Sequence, residues 1–322
     1  MQEILVNKYN IKSRLDIFLK EVLNTTRNNA SKLIKNSKIL VNNKVVQKTS
    51  YEININDVVN ICEIKQNMEH TKEKKNIDIE ILYEDDDILV INKPVNLIVH
   101  RAHENDTQNS IVDWITLNKI QTSSLGDSNR HGIVHRLDKT TSGAMVIAKN
   151  NESHIALKEQ LQKRNMGRFY LCVIDKPLKE DLIIKSNIAR HPKNRLKYIN
   201  TEVGKESKSA FYKISDNNKN ELICAKLFTG RTHQIRVHLA KINRHILGDY
   251  FYGYKGEYNK RILLHSHKLY LSHPKTSKNL KFYAPIPEVM LEYIKELIHL
   301  GGNNENFEKF FFSFMCKFYD DI

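Results

Sequence analysis

With 322 residues, 40% of them hydrophobic, the chain is long enough for one sizeable core and a smaller module. Lysine and arginine outnumber aspartate and glutamate 51 to 37, and the resulting +14 recurs along the chain, which favours a polyanionic partner over an acidic membrane surface. No apolar run reaches membrane-span length, the start MQEILVNKYN lacks a secretory hydrophobic segment, and Cys62, Cys172, Cys224 and Cys316 have no paired spacing, so the expectation is a cytoplasmic protein without membrane or disulfide framework.

The first 63 residues read as a small basic module. Leu15, Phe18, Leu19 and Val22 give a first helix one apolar face. Thr25 or Thr26 can cap a second, with Ala30, Leu33 and Ile34 inward and Arg27, Lys32 and Lys35 wet. KILVNNKVV then predicts strand, Asn-Asn turn, strand. Arg14, Arg27, Lys32, Lys35, Lys38 and Lys44 are candidate phosphate contacts. Residues 64–79 are charged, poor in apolar side chains and expected to form a linker.

From residue 80 a larger domain follows, expected to run to 300. Ile88 to Ile91 is an uninterrupted apolar run closed by Lys93-Pro94, hence a buried strand entering a loop. HGIVHRLDKTTSGAMVIAKN crowds His131, His135, Arg136 and Asp138 ahead of a second strand, Gly143 to Lys149. Asn150, Asn151 and Glu152 start a helix with Ile155, Leu157 and Leu161 as core contacts. GRFYLCVID and ELICAKLF are further strands, and the turn at Thr229-Gly230 leads to a helix carrying Arg231, His233, Gln234, Arg236 and His238. Hairpin-like strand pairs with inserted helices favour an α+β fold over a doubly wound sheet. Residues 301–322 form a phenylalanine-rich extension, expected to dock on its own chain.

Neither a dinucleotide-binding nor a P-loop glycine pattern occurs. His131, His135, His233, His238 and Asp138 include metal-ligand types, yet their spacing matches no compact ligand motif. Taken alone, Asp138 can equally cap a turn or pair with Arg136, and Arg231 can face solvent. Two polar clusters in one basic chain nevertheless point to a shared anionic cleft.

GIVHRLDKTTSGAMVIAKN resembles the signature G-x-x-H-R-L-D-x-x-T-S-G-x-x-x-x-A-K of the RluA/RluD-type pseudouridine synthases. DDDILVINKPVNLIVH, RFYLCVI, LFTGRTHQIRVHLA, ILGDYFYG and LHSHKLYLSHPKTSKNLKFYAPIP keep that family's order over roughly residues 80–288. SRLDIFLKEVL and the segment after it look like an S4-type RNA-binding domain.

The resemblance implies a mixed, largely antiparallel catalytic sheet behind a small S4-like α/β module, and isomerisation of uridine in RNA, most simply large-subunit ribosomal RNA, by a monomer. It carries the catalytic aspartate onto Asp138, the active-site tyrosine onto Tyr170 and an arginine that holds the aspartate onto Arg231. His135, Arg136, His233, Gln234 and Arg236 become RNA contacts beside Arg14, Arg27, Lys32 and Lys35. No metal and no cofactor are expected, because the product keeps both uracil and ribose. Asn96 stands where that family usually has glycine, Arg101 where proline is common, Thr140 where aspartate is frequent, and Asn243-Arg244-His245 where Gly-His-Pro is common. The S4-like segment likewise has Asn36-Ser37 and Asn43 at turn positions that often hold glycine, and Asn56 before Asp57.

Overall fold

The computed structural model describes residues 2–6, 14–23, 25, 27–61, 77–101, 106, 108–125 and 131–298; most of the expected linker and the phenylalanine-rich extension lie outside these. The chain divides into two compact units, Met1–Lys74 and Lys75–Ile322.

The first unit contains β1 (Gln2–Leu5), α1 (Leu15–Val22), α2 (Arg27–Lys35), β2 (Ile39–Val41), β3 (Lys44–Val45) and β4 (Val58–Ile61). Its antiparallel sheet has the order β1-β4-β2-β3. Leu15, Phe18 and Leu19 from α1 and Ala30 and Ile34 from α2 pack with Val41, Ile53 and Val59 into one core, while Val22, at the end of the expected apolar face, is exposed. The β2–β3 hairpin closes through Asn42 and Asn43, both at positive φ (51° and 64°), the geometry of a two-residue primed turn. Ser37, Asn56, Asn96 and Asn243 also sit at positive φ. Asparagine tolerates the left-handed region better than most side chains, so Asn42, Asn43, Asn56, Asn96 and Asn243 can hold these turns without glycine.

The second unit runs β5 (Glu80–Glu84), β6 (Ile88–Lys93), α3 (Ile111–Leu117), β7 (Ser142–Ala148), α4 (Asn151–Lys163), β8 (Gly167–Ile174), β9 (Leu182–Arg190), β10 (Tyr198–Thr201), β11 (Lys205–Asp216), β12 (Glu221–Leu227), α5 (Gln234–Lys241), β13 (Leu264–Ser272), β14 (Asn279–Tyr283) and α6 (Glu288–Ile298). These strands form a ten-stranded sheet, ordered β10-β9-β11-β12-β8-β13-β7-β6-β5, with β14 on β13. Among the described strands every pairing is antiparallel except β13 with β7, so the sheet is mixed and the fold is α+β.

The centre of this sheet is covered on both faces, which is why β6, β7 and β8 carry continuous apolar runs instead of alternation. Leu89, Ile91, Met145 and Ile147 enter one core with residues from α3, α5 and α6; Ile88, Val90, Val146 and Leu157 enter the other, beneath α4. Asn150 caps α4 by accepting from the Ser153 N–H at 2.8 Å. Ile155, expected to pack inward, is 59% exposed, because His154 and Leu157 occupy the buried face of that helix.

Candidate active site

Asp138 lies in the loop that delivers the chain to β7. Leu137 before it is buried, and the Thr141 N–H donates to the Asp138 carbonyl at 3.1 Å, closing a tight turn. Behind the turn, the buried Lys93 at the end of β6 donates from Nζ to the carbonyls of Pro94 at 2.7 Å, Leu97 at 2.9 Å and Lys139 at 3.5 Å. Burial pulls the Lys93 ammonium down to about 7, against the opposing field of Asp138. Where β7 begins, Gly143 has φ +117°, and a Cβ there would sit 2.2 Å from the Ser266 carbonyl of β13. The seat of Asp138 is therefore fixed by β6, β7 and β13 together.

Asp138 retains 17% side-chain exposure on a narrow cleft of about 60 Å³ whose lining includes Tyr170, Arg231, His233 and Arg236. Tyr170, on β8, is buried; burial raises its hydroxyl above the ordinary phenol range, and the ring stays neutral beside Asp138. Arg236 Nη1 is 3.8 Å from Asp138 Oδ2, and His233 Nε2 is 3.9 Å from the same oxygen. His233 is the N-cap residue of α5, at φ 58°, and Arg236 lies in the first turn, so the start of that helix presents both to the carboxylate. The guanidinium is fixed from behind by Asp249, through Nε to Oδ2 at 2.7 Å and Nη2 to Oδ1 at 2.8 Å. His233 shares a 2.8 Å hydrogen bond with Tyr252, and burial keeps its imidazole below the usual histidine range.

Arg231 does not hold Asp138. Its Nε donates to the Glu206 carbonyl at 2.9 Å, because it belongs to the turn before α5 and leans on β11, leaving the carboxylate to Arg236. Two expected RNA contacts are likewise spent inside the protein. His135 is buried, with Nε2 accepting from the Val146 N–H at 3.1 Å and Nδ1 3.0 Å from Arg168 Nη1. Gln234 accepts from Thr229 and from the Arg231 N–H, and donates to Lys208 O and Ser209 Oγ. Arg136 is exposed on the cleft rim, donating to His100 at 3.3 Å. In the first unit Arg14 and Arg27 both grip the buried Asp16, while Lys32 and Lys35 are exposed on α2.

The histidines considered as metal ligands do not converge: His238 shares hydrogen bonds with Ser186, Ser207 and Ser209, and His135 is occupied as above. Asp85, Asp87 and His273 do approach one another, within 4.8 Å. Asp85 there accepts from Tyr83, His273 and the N–H groups of Asp87 and Ile88, the hydrogen bonds of a closed β5–β6 turn. Sequence reasoning missed three residues of the site. Lys93 ends an apolar strand run as its one charge, Asp249 lies in the quoted ILGD segment, and Arg168 stands two before Tyr170, hence on the same face of β8.

The model of the RNA pseudouridylate synthases matches residues 87–241, and that of the S4 domain matches residues 13–59. An uncharacterised RNA pseudouridine synthase of Helicobacter pylori (strain J99) is 39% identical across 98% of the chain and 100% of that protein. The chain belongs to the RNA pseudouridine synthase family. Ribosomal large subunit pseudouridine synthase D of Escherichia coli O6:H1 is 33% identical, over 90% of the chain and 92% of that protein. A solved human structure, RNA Pseudouridylate Synthase Domain Containing 4, shares the fold at a TM-score of 0.54 and 20% identity, covering 68% of the chain and 92% of that structure. As a pseudouridine synthase with an S4 domain, the protein is an RNA-binding isomerase: it breaks the N1–C1′ bond of a uridine and joins C1′ to C5 of the same uracil. Among the described residues no helix is long and apolar enough to cross a membrane.

Proposed function

We propose that the protein isomerises particular uridines of cytoplasmic large-subunit ribosomal RNA, with Asp138 as the essential carboxylate. The observation that carries this reading is the placement of Asp138 at the cleft, beside the neutral ring of Tyr170 and 3.8 Å from a guanidinium already locked by Asp249. A uridine flipped out of the RNA stack lays its base against Tyr170. The Asp138 carboxylate then acts on the sugar or the base; the N1–C1′ bond breaks, the uracil turns, C5 bonds to C1′, and the C5 proton is lost while N1 gains one. Atoms and oxidation state are unchanged, so this chemistry needs no redox carrier.

Arg236, with Asp249 behind it, orients the Asp138 carboxylate. Arg231, His233 and Arg136 face the incoming strand, with Arg14, Arg27, Lys32 and Lys35 of the S4 domain as phosphate contacts. Large-subunit RNA is favoured by that domain and by the similarity to the E. coli protein, whose name assigns it to the large ribosomal subunit. Mapping pseudouridine in total RNA from cells with and without the protein tests the substrate. The expected outcome is loss of specific sites in large-subunit RNA; a loss confined to transfer RNA would refute this substrate and keep the reaction.

A further inference from the structure

Beside the Asp138 cleft lies a second recess, of about 320 Å³, which the isomerisation does not use. Its apolar walls are Ile133, Leu161, Met166 and Phe228, and among its described lining residues there is no carboxylate. Arg136, Arg168 and Gly230 line both recesses, so the two share a wall.

That wall contains a buried cation with too few acceptors. Arg168 is only 6% exposed, and its Nε has no hydrogen-bond partner. Its Nη1 faces His135 Nδ1 at 3.0 Å, while the Val146 N–H claims Nε2 of the same ring at 3.1 Å. Burial keeps that imidazole neutral, and a neutral imidazole has one acceptor nitrogen for these two donors. A guanidinium removed from water without an anionic partner is costly unless a ligand supplies acceptors. Along the recess, the half-buried Phe228 ring carries Lys208 Nζ 4.3 Å from its centroid. Lys208 also lines a third recess with Arg164 and Lys185, and Thr229 borders both the second and third. The second recess therefore adjoins both others, and the third carries three cations, Arg164, Lys185 and Lys208, against one carboxylate, Glu206; cations beside an aromatic ring are the combination that holds a single strand by stacking and phosphate attraction.

We propose that the recess walled by Arg168, Met166 and Phe228 is a second nucleobase site, which takes the base of a nucleotide next to the target uridine in the same RNA strand. Phe228 offers the ring for stacking, Arg168 offers N–H donors to base carbonyls or ring nitrogens, and Lys208 neutralises the adjoining phosphate. The site rests on the isomerase reading above and extends it to a neighbour-reading step: occupancy beside the target would hold the strand unstacked while the uridine enters the Asp138 cleft.

The test uses the full chain and RNA fragments spanning the uridine that it isomerises, with each of the two nucleotides on either side made abasic in turn. Loss of one stacked base corresponds to a fall in affinity of about 5–150-fold. Phe228→Ala is expected to raise KM within that range, with a smaller effect on kcat, and Phe228→Tyr to restore it. Leu161→Trp, which fills the recess from α4, is expected to raise KM without touching the ring and covers the case in which Phe228→Ala folds poorly. One abasic position is expected to reproduce the wild-type loss and to add nothing in Phe228→Ala, since both changes remove the same contact. If Phe228→Ala and Leu161→Trp both leave KM within about twofold of wild type, or if every abasic loss multiplies independently with Phe228→Ala, the second base site is refuted and the isomerase reading stands. Failure of the wild-type protein to isomerise any uridine would instead refute that reading, and the site with it.

Discussion

The two arginines near the cleft separate into different physical roles. Arg236 is 5% exposed on its side chain and bidentate to Asp249, which is itself buried, so Arg236→Ala strands one carboxylate in the core and frees another at the cleft. A loss of about 3–5 kcal/mol in unfolding free energy is expected, together with a collapse of kcat. Arg231→Ala should cost under about 1 kcal/mol and act on KM. Chemical denaturation and steady-state kinetics of the pair decide this; equal effects would contradict the assignment. Buried histidines set the pH response. Burial holds His238 and His267 at about 4 and His265 at about 3, below the ordinary 6.5. Between those values and 6.5 the unfolded chain binds more protons than the folded one, so the stability they contribute is complete above about 6.5 and drains as pH falls, by up to about 1.4 kcal/mol per pH unit per group. Urea midpoints should drop from pH 7 to pH 5, and His238→Gln should reduce the drop; an unchanged midpoint would exclude this linkage.

Elements deliver these residues to one place. β7 can lie against β13 only because residue 143 lacks a Cβ, so Gly143→Ala is expected to destabilise the catalytic unit by about 2–4 kcal/mol and to slow isomerisation with it. A melting transition within 1 °C of wild type would show that the strands can part without cost. In the S4 domain, α1 buries Asp16, whose carboxyl is pushed up by burial and held below its ordinary value by hydrogen bonds from Arg14 and Arg27. Asp16→Asn makes the protein more positive, which by net charge alone would tighten RNA binding. If instead the carboxylate aims both arginines, affinity at fixed salt falls by about 3–30-fold. An RNA titration distinguishes the two. These elements also mark the limits of sequence reading. Strand runs, the Asn150 helix start and the Asn-Asn turn were legible because periodicity and turn chemistry are local, while the expected Thr26 cap of α2 lies outside the described residues. The roles of Arg236 and His135 were not, because Asp249, Val146 and Arg168 reach them from other elements.

For the molecule as a whole, the charge excess, the S4 domain and the cleft converge on RNA, and the family match supplies the reaction. The α+β class and the Asp138 segment were visible in the order of motifs along the chain. The recess beside the cleft was not: its walls come from the loop before β7, from α4, β8 and the β12–α5 turn, and although several of these residues lie in the quoted motifs, only the fold brings them together. D138N removes the one carboxylate assigned to the reaction while keeping size and shape. Purified wild-type and D138N protein would each be incubated with large-subunit RNA from cells lacking the protein, and pseudouridine read at single-nucleotide resolution beside an RNA-binding titration. The role of Asp138 requires new pseudouridine at defined positions with the wild type, at least about a thousandfold less with D138N, and binding affinities within about threefold of each other. Pseudouridine formed by D138N at a rate near that of the wild type would contradict it.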